Sequence, residues 1–268
     1  TVVGREQVPV TQIVEVEKEG SKIVAGTPVV ETIVETQVVE KVVTATPIPP
    51  TPTPEGQRQV SREQTLIIGF EGEAVPAPEQ ANPHVPGSRI NQGYHQCMIE
   101  SLYYLNYQTG EAIPWLADGP EKWNDDYTQV DVPIRKGVEW SDGEPFTAED
   151  VAFTINMLKG NPTLGYGATM QQWVEDCVAV DDFTCRFTLT EPNPRFIYSN
   201  FTVWIWGAVR ISPKHIWENE DPNTFTNYDM DKGWPVWTGP YKLVKASPTE
   251  FVYDRRDDWW GAKNGFHD

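Results

Sequence analysis

The chain has 268 residues, 21 basic and 39 acidic, for a formal net charge of −18. That balance excludes nucleic-acid binding, which needs Lys and Arg clustered against phosphates. It also argues against docking on an anionic membrane surface, and self-repulsion favours a soluble monomer.

The sequence begins at Thr1 with no basic-then-apolar leader, and so reads as a piece of something longer whose targeting segment is gone. No apolar run approaches the roughly 20 residues that span a bilayer. Residues 1–64 alternate Val with Glu and Thr, as in "TQIVEVEKEG" and "VVETIVETQVVEKVVTATP", then pass into "PIPPTPTPEG". All 11 Trp, 10 Tyr and 10 Phe lie beyond them. Alternation suggests strand, but with no aromatic or Leu partner its burial does not offset chain entropy. The Pro-Thr run favours an extended spacer. Residues 1–64 are therefore expected to be a disordered stalk or linker, with a local hairpin in the Val-rich part as the second reading.

From residue 65 the composition is that of a folded α+β or α/β mixture. "TLIIGF" (65–70) predicts a short apolar strand, and "HQCMIESLYYLNYQTG" shows roughly helical spacing. "TQVDVPIRKGVEW" alternates as a strand across Lys136-Gly137. In "VEWSDGEPFTAEDV", Asp142-Gly143 predicts a tight turn. Thr147 and Asp150 have capping-box spacing, and Val151, Ile155 and Leu158 share one helical face. "CVAVDDFTCRFTL" and "PVWTGPYKLVKASPTEFVYDRR" predict two hairpins, and "WIWGAVRISPKHIW" an aromatic strand leading to a Pro-initiated helix. Cys177 and Cys185 flank the first hairpin. A disulfide there would close a short loop, worth roughly 2–3 kcal/mol, and would imply an oxidising compartment. Two unpaired thiols on neighbouring strands are the equal alternative.

No catalytic or cofactor signature emerges. His84, His95, His215 and His267 are scattered, and His95 with Cys97 makes a single HxC, short of a zinc ligand set. "GYG" (165–167) lacks the third glycine of a nucleotide loop. Asp125-Asp126 and Asp257-Asp258 are adjacent acids, whereas a glycosidase pair faces itself across a cleft. No metal or cofactor is expected. Trp204 and Trp206 share one strand face, and Trp234 and Trp237 precede "TGPY". These are read either as core packing or as faces that stack on a ligand.

In order along the chain, "TLIIGF", "ESLYYLNYQTGEAIPWLAD" (100–118), "IRKGVEWSDGEPFTAEDVAFT" (134–154), "VDDFTCRFTL" (180–189), "SPKHIW" (212–217), "TGPYKL" (238–243) and "RRDDWWG" (255–261) resemble the solute-binding proteins of bacterial ABC importers, oligopeptide and dipeptide group. The resemblance covers 65–268. It implies a periplasmic-binding-protein-like first lobe, residues 65–97 plus 197–268, with 98–196 as an inserted smaller subdomain and the second lobe missing. It further implies capture of oligopeptides by lobe closure and delivery to an ABC permease, outside the cytoplasm, with a lipid anchor upstream of Thr1. Because the loop after the first strand faces the cleft in that group, Phe70, Glu71 and Gly72 join the four tryptophans as candidate ligand contacts. An oligosaccharide ligand is the alternative within the same fold. A stalked carbohydrate-active enzyme or lectin-like domain is the alternative outside it.

Overall fold

In the computed structural model, the described residues are 7–24 and 27–44 as strand backbone, then 60–69, 74–86, 93, 97–203 and 207–266. The chain divides into two compact units, Thr1–Pro54 and Glu55–Asp268.

The first unit holds β1 (Gln7–Val24) and β2 (Thr27–Thr44). They pair antiparallel over their whole length, from Gln7↔Thr44 to Val24↔Thr27. Alternation of Val with polar residues here takes the form of a two-stranded ribbon, the second of the two readings of this segment.

The second unit is organised around a four-stranded antiparallel sheet in the order β5 (Lys122–Trp123), β6 (Gln129–Pro133), β8 (Thr184–Leu189), β7 (Val174–Asp181). β6 and β8 alternate buried with half-buried positions, so one face is apolar. Val130 lies opposite Phe187 and Val132 opposite Cys185 in the ladder, and all four are fully buried. Helix α1 (Ala148–Gly160) packs on β7, with Val151, Ile155 and Leu158 completely buried. Each such side chain contributes about 1.5–3 kcal/mol on leaving water. Helix α2 (Gly167–Trp173) leads directly into β7.

A second sheet joins distant parts of the chain. β3 (Tyr103–Leu105) pairs antiparallel with β4 (Ala112–Pro114) and parallel with β9 (Thr202–Val203), which follows helix α3 (Phe196–Phe201). Helix α4 (Lys214–Trp217) starts after Pro213, and β10 (Tyr241–Ala246) and β11 (Phe251–Arg255) form the last hairpin.

The corner at 138–151 folds as its sequence predicts. Gly143 takes φ +95° and its N–H closes the turn on the Trp140 carbonyl at 3.0 Å. Asp150, 4% exposed, accepts from the Thr147 N–H at 2.9 Å, completing one arm of the cap. It also accepts from the Lys214 N–H at 2.9 Å and the Trp140 indole at 3.4 Å, so one carboxylate fixes helix α1, the turn and helix α4. Asp150→Asn turns one of these acceptors into a donor. It is expected to lower the unfolding free energy by roughly 1–3 kcal/mol, seen as a shifted urea midpoint at unchanged slope.

Two expectations are corrected. Residues 65–69 form no strand, and Leu66, Ile67 and Ile68 are 83%, 68% and 64% exposed. An apolar run becomes a strand only when neighbours satisfy its backbone, and among the described residues none pairs with it. The helical spacing of "HQCMIESLYYLNYQTG" is overridden too. Tyr103–Leu105 is strand, because its ladder with β4 and β9 outweighs local periodicity.

Candidate ligand-binding site

Five of the seven candidate contacts, Phe70, Glu71, Gly72, Trp204 and Trp206, lie outside the described residues. The other two differ from each other. Trp237 is 2% exposed and belongs to the core. Its carbonyl accepts from the Ser141 N–H at 3.0 Å and from Arg256 Nη1 at 3.2 Å, which ties the "TGP" loop to the Asp-Gly corner. Trp234 is half-buried. Lys232 Nζ stands 4.5 Å from the centre of its ring, and Phe225 meets that ring edge-on at 5.5 Å. The structure thus puts Trp234 at a partly open position and Trp237 behind it in sequence, in the packed interior.

The loop after Trp237 is held by backbone proximity. The Gly239 N–H donates to the Met98 carbonyl at 2.9 Å, and a Cβ on Gly239 would lie 2.4 Å from that oxygen. Only glycine allows this approach. Arg256, 3% exposed, then clamps the region: its guanidinium donates to the carbonyls of Trp140, Trp237 and Gly239 at 3.1–3.2 Å and pairs with Asp258 at 3.3 Å.

Sequence reasoning missed a second buried centre. Glu100, 4% exposed, accepts from the Trp115 indole at 2.7 Å and the Trp260 indole at 2.9 Å, one on each carboxylate oxygen. Burial pushes its carboxyl up to about 7, while the indole N–H groups of Trp260 and Trp115 pull the other way. Tyr104, Trp259 and Phe266 stack around these indoles, and the Arg135 guanidinium lies 5.2 Å over the Trp260 ring. A third buried group, His84, bonds Ser212 Oγ at 2.8 Å. Desolvation, with Arg210 adding repulsion, lowers it to about 3, so it stays neutral. Arg210 is itself lowered to about 10 by burial. None of these residues forms a local motif, so only their three-dimensional neighbours reveal them.

Cys177 and Cys185 are thiols here, both buried, with sulfurs 3.6 Å apart on β7 and β8. The ladder sets Cys177 opposite Phe187 and Cys185 opposite Ala179, so the two cysteines are diagonal neighbours. Among the described residues no group of three or more His, Cys, Asp or Glu could hold a metal ion. An open groove beside β6 and β8 is lined by Asp118, Lys136, Asp181, Asp182 and Phe183. Nothing encloses it.

Comparison with known proteins adds what the geometry alone does not. Residues 111–266 match the family model described as "Bacterial extracellular solute-binding proteins, family 5 Middle". The "Probable peptide-binding protein YejA" of Agrobacterium fabrum is 35% identical over 151 residues, covering 54% of this chain and 23% of that protein. The chain thus spans about a quarter of the length of the curated relatives it matches. Among solved structures, the mannohexaose-bound periplasmic oligopeptide-binding protein of an oligopeptide ABC transporter from Thermotoga maritima aligns at TM-score 0.53 and 28% identity, over 64% of this chain and 30% of that one. NikA from Brucella suis, in complex with Fe(III)-EDTA, aligns at TM-score 0.57 and 25% identity, over 72% and 36%.

Proposed function

We infer the function of this chain from one premise: it belongs to the bacterial extracellular solute-binding proteins of family 5. A protein of this class binds and releases its solute without transforming it.

We propose that the chain serves oligopeptide uptake. It forms part of a two-lobed receptor outside the cytoplasm, tethered upstream of Thr1, that closes on a peptide and presents it to an ABC permease. The 35% identity over 151 residues to a relative named "Probable peptide-binding protein YejA" is the observation that carries this reading. Residues 65–97 plus 197–268 would belong to the first lobe and 98–196 to its inserted subdomain. That division is supported by the sheet β5–β6–β8–β7, which lies wholly within 98–196 together with α1 and α2. Ligand contact is assigned to Phe70, Glu71, Gly72, Trp204, Trp206, Trp234 and Trp237, of which Trp237 is buried in the core. Selection works because the ligand favours the closed state by its differential affinity.

A second reading is an oligosaccharide ligand. Its support is specific: a relative named for oligopeptides holds mannohexaose, and this chain carries 11 Trp whose faces suit sugar rings. Native mass spectrometry of the gently purified full-length protein separates the two. Adducts spread over peptide masses are expected. Hexose-spaced adducts would transfer the assignment to sugars. A bare protein that also fails to respond to a peptide mixture in tryptophan-emission titration would refute the peptide reading.

An extracellular site also bears on the cysteine pair. Cys177 and Cys185 are expected to exchange with a small-molecule disulfide, each losing its proton while the donor is reduced to two thiols. Denatured protein prepared without reductant should then show one titratable thiol out of three cysteines. Three would mean that the pair stays reduced.

A further inference from the structure

We propose that the aromatic pair Trp123–Tyr127, at the edge of the four-stranded sheet, is a docking site for an arginine side chain of a partner polypeptide. It involves none of the residues assigned to solute contact. The ladder places the pair. Trp123 lies opposite Val130, Val130 opposite Phe187 and Phe187 opposite Cys177, so one cross-strand row runs across the apolar face of the sheet. Val130, Phe187 and Cys177 are buried. Among the described residues β5 is an edge strand, and Trp123 at the end of the row is only half-buried. The Tyr127 ring meets it at 5.9 Å, tilted by 55°, and is 45% exposed.

The loop that carries Tyr127 is braced from within. Asn124 Oδ1 accepts the N–H groups of Thr128 and Gln129, both at 3.0 Å. Asp126 Oδ1 accepts the Thr128 N–H at 3.1 Å and its hydroxyl at 2.5 Å. The Tyr127 carbonyl accepts from the Asn193 N–H at 3.1 Å. In this frame Tyr127 takes φ +57°, a left-handed conformation that Gly or Asn adopts readily and a bulky side chain resists. A loop that had only to turn would place one of those residues here. A strained aromatic residue, half in solvent on a rigid loop, points instead to a binding role.

The occupant follows from what covers other rings of this chain. Phe183, Tyr198 and Trp234 are half-buried, and each has a cation over its face: Lys136 at 5.0 Å, Arg195 at 5.7 Å and Lys232 at 4.5 Å. Among the described residues Trp123 and Tyr127 have none. Lys122 precedes Trp123 on β5, and successive side chains of a strand take opposite faces. Glu121, Asp125 and Asp126 stand in the same hairpin, so the surroundings favour a cation and oppose an acidic partner. A guanidinium fits both features. Its plane stacks on an aromatic face while its N–H edge meets a carboxylate, a combination that an ammonium does not offer.

The test is fluorine NMR of the whole chain labelled with 3-fluorotyrosine and titrated with N-acetyl-arginine methylamide, which presents arginine as it stands within a polypeptide. The 10 Tyr give ten resonances. Tyr127→Asn, which suits the backbone there, identifies one by its loss, and the others staying in place verify that the variant is folded. The Tyr127 resonance is expected to shift saturably, with a midpoint of roughly 1–10 mM. Tyr107, 68% exposed and identified through Tyr107→Phe, reports general attraction of cations to an acidic chain and should stay in place. Asp125→Asn should raise the midpoint about two- to fivefold, and N-acetyl-lysine methylamide should bind more weakly. No saturable shift at Tyr127, an equal shift at Tyr107, indifference to Asp125→Asn, or an equal response to the lysine analogue would overturn the proposal. A saturable shift with glucose and none with the arginine analogue would also overturn it, and give the rings to a sugar.

Discussion

Arg256→Ala should be among the most damaging single substitutions in the second unit, lowering its unfolding free energy by roughly 2–4 kcal/mol. The reason lies in what the guanidinium satisfies. The Gly239 carbonyl receives its donor from this side chain, and the Trp140 and Trp237 carbonyls, which also accept the Gly143 and Ser141 N–H groups, receive a second one, all in a buried region. Truncation takes the donor from the Gly239 carbonyl, at roughly 1–3 kcal/mol, removes the second donor from the other two, and opens a cavity beside the Trp237 core. The Asp258 contact adds little, because that carboxylate is 62% exposed. Arg256→Lys should recover only part of the loss, since an ammonium lacks the planar fork that reaches several acceptors at once. Urea unfolding followed by tryptophan emission measures both variants. A loss below about 1 kcal/mol for Arg256→Ala would mean that water can replace the guanidinium.

The elements legible from sequence are those specified by local chemistry. The Asp142-Gly143 turn, the helix start at Thr147 and the hairpins at 174–189 and 241–255 each carry their own turn residues and periodicity, and each is present. The misread segments are those whose state is decided far away. Tyr103–Leu105 is a strand because of Thr202 and Val203, about a hundred residues on. Leu66–Ile68 carries a strand's composition but, among the described residues, has no partner strand to make it one. The same holds for the interior polar centres. Glu100 and Trp260 are 160 residues apart and Arg256 reaches Trp140 across 116, so no window of sequence contains either pair. Family resemblance pointed to the binding role, while the groups that hold the fold around it had to be found in three dimensions.

Glu100 predicts a pH dependence whose sign is fixed. Its carboxyl rises from 4.5 to about 7 on folding, chiefly because burial disfavours the charge. The folded state therefore holds this proton more tightly than the unfolded state. The resulting stability is complete below about pH 4.5 and lost as pH rises to about 7, at no more than 1.36 kcal/mol per pH unit, roughly 3 kcal/mol in all. Glu100→Gln removes the titration. The stability of the wild-type protein minus that of the variant should fall by this amount between about pH 4.5 and 7.5. Geometry pulls against it. Both oxygens accept an indole N–H, from Trp115 and Trp260, an arrangement that suits a carboxylate and leaves an acid proton without an obvious acceptor. If those donors prevail, the two pH profiles run parallel across this range, and Glu100→Gln is uniformly destabilising because its amide N–H faces an indole N–H. A sloping difference would establish burial as the stronger influence, and make the indole pair a clamp that tightens only as Glu100 ionises.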